Sequence, residues 1–277
     1  MANSLCIINR NLARITGVAA STTAGANVAA NMLAPDKSDV WRAPGKTATL
    51  SGGSATLVTA SCLHMPITNF SPTVTGTLTL WSDAAKTTVA RTVGPVLMCP
   101  EPSVEIEGWA PVDAASAYDQ GGGAWARVWF PSTAFRAWSL DIVDNGNLQG
   151  ALEVAAIVIG AAWSPEYDVE PDGATVTPCD NSTQFRTAAG SLRANPGTRH
   201  DEMTLNLTWL TEADRKVALQ MLRANGRRSP LIVSLWPNDN DPARERAHSI
   251  YGLLTADGQI TLSGPDDFAT KLEIASI

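Results

Sequence analysis

Charge is scarce in this sequence, and positive charge scarcer still. Of 277 residues only 17% are charged, with 20 Lys and Arg against 27 Asp and Glu, a formal net charge of −7. Proteins that grip nucleic acid neutralise phosphates with clustered cations, so tight nucleic-acid binding is not expected. Cysteine is rare too. Cys6, Cys62, Cys99 and Cys179 are widely spaced and form no C-x-x-C, so free thiols made in a reducing cytoplasm are expected. Histidine is limited to His64, His200 and His248. Cys62 and His64 share a parity, but two more ligands are wanting nearby, so no metal and no cofactor is expected. Long apolar runs are missing. The longest, "VAAIVIGAAW" (154–163), is about half of a membrane helix, and "MANSLCIINRNLARITG" has no continuous apolar core of a signal peptide. Neither membrane insertion nor secretion is expected.

Catalytic patterns are also wanting. There is no G-x-S-x-G, no H-E-x-x-H and no phosphate loop. The Gly-rich "DQGGGAW" (119–125) lacks the lysine and helix that phosphate binding needs. Asp266 and Asp267 are adjacent on one loop, not placed across a cleft as a glycosidase requires. Asp239 and Asp241 have calcium-loop spacing, but Pro242 follows and the glycine and distal Glu are missing. The expectation is a protein that is not an enzyme.

What the chain does have is Thr-, Val- and Leu-rich runs punctuated by Gly, Pro, Ser and Asp. "TATLSGGSATLVTAS" (47–61), "TGTLTLWSD" (75–83) and "WARVWF" (125–130) suggest a sandwich or jelly roll. Aromatics make up only 6%, yet "AWARVWFPSTAFRAW" (124–138) holds five. At period two, Trp125, Arg127 and Trp129 share one face, with Pro131 expected to stop the pairing. Arg127 could stack on either indole. This face suits a core, a sugar ligand or a partner. Trp138, Leu140 and Ile142 share another face, which predicts a buried Trp138. "LEVAAIVIGAAW" (152–163) predicts a strand buried on both sides.

From about 165 the periodicity fades through "SPEYDVEPDGATVTPCDNST", which predicts a connector over 165–190. "EMTLNLTWL" (202–210) then alternates, placing Met203, Leu205, Leu207 and Trp209 on one face and Thr204, Asn206 and Thr208 on the other. A helix is predicted over about 211–225, with Thr211 as N-cap, an apolar stripe of Val217, Met221 and Leu222, and Gly226 ending it. Four more strands follow, interrupted by a charged, exposed loop at 237–247. The domains expected are 1–164, a jelly-roll β-domain, the connector, and 191–277, a β-domain with one helix. Arg227 and Arg228 either sit by the helix C-terminus or pair with an acidic patch such as Asp239 and Asp241 on a neighbouring subunit.

The order of segments resembles tail-tip proteins of long-tailed bacteriophages and prophages. "NLA" (11–13), "SDVWRAPGKTATL" (38–50), "MPITNFSPTVTGTLTLWSD" (65–83) and "ARVWFPSTAFRAWSLDIVDNGN" (126–147) are similar to the galactose-binding-like, discoidin-type jelly roll of such proteins. "GAAWSPEYDVEPDG" (160–173) is similar to their connector. The resemblance implies a structural virion component of the tail tip or baseplate, with a tail-tube-like β-domain that forms a ring, six-fold by analogy, around the tail channel. Its partners would be further copies of itself, the tail tube and the hub. The alternative is a carbohydrate-binding adhesin module contacting a host glycan. The polar face of "EMTLNLTWL" and the acidic balance suit a bore that DNA passes without sticking.

Overall fold

A computed structural model describes residues 5–34, 36–100, 124–170, 172–264 and 267–277. Gly121, Gly122 and Gly123 of the Gly-rich stretch, and Asp266, lie outside the described residues. The chain is mainly β, with antiparallel sheets. It divides into two compact units, one of Cys6–Trp163 with Trp236–Ala247, the other built on Ser164–Leu235 and His248–Ile277.

The first unit is a jelly-roll type β-sandwich. Its strands are β1 Cys6–Ile8, β2 Ala19–Ala20, β3 Trp41–Pro44, β4 Thr47–Thr68, β5 Thr75–Trp81, β6 Val89–Leu97, β7 Ala124–Val143, β8 Ala151–Val154 and β9 Val158–Gly160, with a short helix α1 at Ala13–Thr16. The sheet order is β3-β8-β4-β7-β5-β6, with β2 and β9 also paired to β4. β4 and β7 are unusually long, 22 and 20 residues. Their register shifts between Gly53 and Val58, Ala60 and Cys62, and Met65 and Thr68. Bulges of this kind bend strands, so one long pair can curl over its own core. Pro131 does not end β7. It falls in the shifted span between the Cys62–Trp129 and Ala60–Thr133 pairs, where its missing N–H costs no ladder bond. The apolar run 152–163 is split into β8 and β9 rather than forming one strand, and both are almost wholly buried.

Trp41, Phe70, Phe135 and Trp138 are completely buried. Trp41 Nε1 donates to the Thr22 carbonyl at 3.1 Å, so its one polar atom is satisfied. None of the four cysteines forms a disulfide, and all but Cys179 are buried.

The second unit holds β10 Ala174–Asp180, β11 Thr183–Arg186, β12 Leu192–Asn195, β13 Arg199–Leu210, helix α2 Glu212–Asn225, β14 Leu231–Ser234, β15 Ser249–Leu254, β16 Ile260–Gly264 and β17 Asp267–Ser276. Its sheet runs β14-β15-β17-β13-β10, with β16 also on β17; β11 and β12 form a separate hairpin. The stretch expected as a connector therefore carries two strands. β10 is an edge strand, paired on one side only, where Pro178 is tolerated. Thr211 caps α2 by accepting the Asp214 N–H, and the Gly226 N–H closes the other end on the Leu222 carbonyl at 3.0 Å. The buried stripe is Asp214, Ala218, Met221 and Asn225, whereas Val217 is 39% exposed. Asp214 turns the stripe because its carboxylate is needed inside, accepting from Thr211 Oγ1 at 2.8 Å and the Glu166 N–H at 3.1 Å. Between β14 and β15 the chain forms helix α3, Pro242–Ala247, which belongs to the first unit.

Candidate functional site

Trp125, Arg127 and Trp129 do share a face of β7, and that face is occupied by the chain itself. Arg127 Nε lies 2.8 Å from Glu245 Oε2 of α3, with side chains only 6% and 4% exposed. Trp129 Nε1 donates to Glu245 Oε1 at 2.6 Å, and the Asn238 N–H reaches the same oxygen at 3.2 Å. Arg127 also donates to the Pro242 carbonyl at 3.2 Å. The segment expected as an exposed charged loop thus contributes a buried carboxylate. Arg246 places a cation over the Trp125 ring, 5.2 Å from the centroid.

His64, opposite Arg127 in the β4–β7 register, completes this cluster. Its Nδ1 accepts the Trp125 Nε1–H at 2.9 Å, and its ring meets Trp129 at 83° with centroids 4.8 Å apart. Burial, and then the positive charge of Arg127, push its pKa down from 6.5 to about 3. The folded protein therefore keeps His64 neutral where the unfolded chain would take up a proton. Its contribution to stability is complete above pH 6.5 and falls away as the pH drops toward 3. Urea midpoints measured across that window should fall more steeply for the native protein than for His64→Gln, whose amide can still accept from Trp125. Parallel curves would show that His64 titrates freely.

The residues proposed for a subunit contact fall in different places. Arg227 and Arg228 are exposed beyond the end of α2. Asp239 accepts the Asp241 N–H and Arg244 Nε, each at 2.8 Å, and these bonds hold its carboxyl below the ordinary carboxylate range. Asp241 Oδ1 accepts the Arg244 N–H at 3.2 Å. The two acids thus organise the start of α3, so much of their charge is answered within the same segment.

An open groove lies on the second unit. Along β13, Met203, Leu205 and Leu207 are buried, while His200, Thr204, Asn206 and Thr208 are partly exposed. The alternation expected to bury Trp209 breaks here. The β13–β17 register shifts between Leu207 and Leu210, so Leu210 is buried and Trp209 is 52% exposed. One inserted residue reverses every side chain beyond it. Thr208 Oγ1 and Trp209 Nε1 both donate to Glu170 Oε1, at 3.0 and 2.7 Å, which fixes the indole at the surface. Beside Thr208 lies a groove of about 410 Å³, whose polar lining includes Asn206, Asp257, Gln259, Lys271 and Glu273. Lys271 Nζ is 2.6 Å from Glu273 Oε1. The groove thus offers an amide pair, a hydroxyl, an ammonium and carboxylates.

Toward the other end of β13 stand His200 and Glu202, with Cys179 beside them on β10. Cys179 is paired directly with His200 across β10 and β13, and Glu202 lies two residues along. Partial burial, and the negative charges of Glu202 and Asp201, raise the Cys179 thiol pKa.

No protein-family model and no curated protein matches the sequence. Solved structures that it resembles include carbohydrate-binding modules. The CBM32 module of AlyQ, in complex with 4,5-unsaturated mannuronic acid, is 18% identical with a TM-score of 0.34, over 52% of this chain and 94% of that one. The lectin domain of lectinolysin, complexed with Lewis B antigen, is 13% identical with a TM-score of 0.36, over 55% and 96%. A Clostridium perfringens CBM32 module, in complex with GalNAc-β-1,3-galactose, is 9% identical with a TM-score of 0.37, over 53% and 96%. These three are sugar-binding modules, not tail-tip proteins.

Proposed function

We propose that this chain is a non-enzymatic, carbohydrate-binding protein, and that its sugar site is the groove beside Thr208 and Trp209. The observation behind this reading is a groove lined by Asn206, Thr208, Gln259, Lys271 and Glu273, followed one residue beyond Thr208 by the exposed indole of Trp209, which Glu170 holds together with the Thr208 hydroxyl. A sugar ring presents an apolar face and a rim of hydroxyls that both donate and accept. An immobilised aromatic face costs little ordering entropy when it stacks, and amides and carboxylates match the hydroxyl rim. Asp257 and Glu273 outnumber Lys271, which favours neutral or amino sugars over uronates. A glycan array with the full chain should show retention of neutral or amino sugars. Trp209→Ala and Asn206→Ala should each weaken the best ligand at least tenfold. Absence of any hit, or affinities unchanged in both variants, would refute the assignment.

A second reading places the protein in a virion tail tip, as a ring component linking the tail tube to the host-recognition apparatus. What favours it is the organisation expected from the resemblance, a jelly-roll unit followed by a β-unit with one long capped helix. The two readings are compatible, since a tail-tip ring can carry a glycan site. Electron cryo-microscopy of the particle would decide the location. A position on the capsid, or none on the particle, would rule it out.

A further inference from the structure

We infer that Cys179, His200 and Glu202 form a binding site for zinc or a similar borderline divalent ion on the outer face of the second unit's sheet. The three donor atoms, one thiol sulfur, one imidazole nitrogen and one carboxylate oxygen, lie within 4.8 Å of one another. The site goes beyond the carbohydrate reading and does not depend on it.

The geometry follows from the ladder. Cys179 faces His200 across the antiparallel β10–β13 pair, and Glu202 faces Thr177. Directly paired residues in such a ladder project to the same side, their Cβ atoms about 4.5–5.5 Å apart. The next residue but one along β13 projects to that side as well. Three ligands are thus held on two adjacent strands by a seven-residue register, with no loop to order. His200 Nε2 already lies 3.4 Å from Glu202 Oε1. A metal ion would replace that contact by bonding to both atoms.

The donor set selects the ion. A thiolate with an imidazole suits zinc and its neighbours, whereas magnesium and calcium seek oxygen alone. On binding, the Cys179 S–H bond is replaced by a sulfur–metal bond and the proton goes to solvent. Cys179 also differs from the other three cysteines, which are all buried. With three protein ligands a fourth position stays open to water or to a group from a partner, the pattern of a reactive or bridging site rather than a closed structural one.

The test is a cobalt titration of the full chain after treatment with a chelator. One equivalent of Co²⁺ should produce a near-ultraviolet thiolate-to-cobalt charge-transfer band. Zinc should then displace the cobalt and remove the band. Cys179→Ser should abolish it, and His200→Ala should weaken binding at least tenfold. Cys62→Ser and His248→Ala should leave it unchanged. A band that survives in Cys179→Ser, or no band at millimolar Co²⁺, overturns the assignment. A readout that needs no variant covers the case of a substitution that fails to fold. Zinc should protect Cys179 of the native chain from alkylation, read by mass spectrometry, and equal labelling with and without zinc would overturn the site.

Discussion

Replacing Glu245 by alanine is expected to destabilise the first unit by about 3–5 kcal/mol. The carboxylate lies 2.8 Å from Arg127 Nε, and both side chains are nearly solvent-free. Its other oxygen also accepts Trp129 Nε1 and the Asn238 N–H. Alanine would therefore remove the carboxylate that faces a buried guanidinium and the acceptor of two further donors, and breaking a buried ion pair costs far more than the pair contributes. The same argument predicts a non-additive rescue. Arg127→Met with Glu245→Leu removes both charges together and should be more stable than Glu245→Ala alone. Glu245→Gln keeps the acceptor for Trp129 but loses the ion pair, and should fall between. Urea unfolding of the four proteins checks this. A loss below about 1 kcal/mol in Glu245→Ala would mean that the pair is solvated and the segment 236–247 only loosely held.

What could be read from sequence was what local chemistry decides. The caps of α2 at Thr211 and Gly226 depend on neighbours within four residues, and they appear as expected. The burial of Trp138 follows from two-residue alternation within one strand. What could not be read depends on residues distant in the chain or on a break in the period. Arg127 shows no sign in sequence of the Glu245 that neutralises it, because an apolar-and-cationic face looks the same whether it meets sugar, solvent or another segment. Trp209 was placed on the wrong face because a bulge leaves no mark on composition, yet it reverses the parity. Cys179 lies within the stretch read as connector, since its prolines, acids and faded periodicity argue against a strand there. At a sheet edge that argument fails, and the pair His200 and Glu202, alternating before the apolar run, was the signal available.

Replacing Trp138 by alanine is expected to cost about 3–5 kcal/mol, the range for emptying a large aromatic site in a well-packed core. Trp138 is completely buried on β7, between β4 and β5, where it faces Gly52 on one side and Leu80 on the other. Gly52 matters to that fit. A Cβ at position 52 would lie 2.6 Å from Trp138 Nε1, so the indole occupies the space that the missing side chain leaves. The ring also has a polar anchor, since Nε1 donates to Thr16 Oγ1 at 2.9 Å in a buried setting. Alanine would leave a cavity and remove the donor to Thr16 Oγ1, whose hydroxyl keeps its bond to the Gly17 carbonyl at 3.2 Å, so the cavity carries most of the cost. Trp138→Phe keeps most of the volume and loses the anchor, so it should cost less than alanine but more than a purely apolar exchange of equal size. Thr16→Val removes the acceptor instead and leaves the indole N–H unsatisfied. If packing dominates, the order of loss in urea unfolding is Trp138→Ala, then Trp138→Phe and Thr16→Val together well behind. If Thr16→Val costs as much as Trp138→Ala, the hydrogen bond rather than the filled volume holds α1 against the sheet, and the account of this core is wrong.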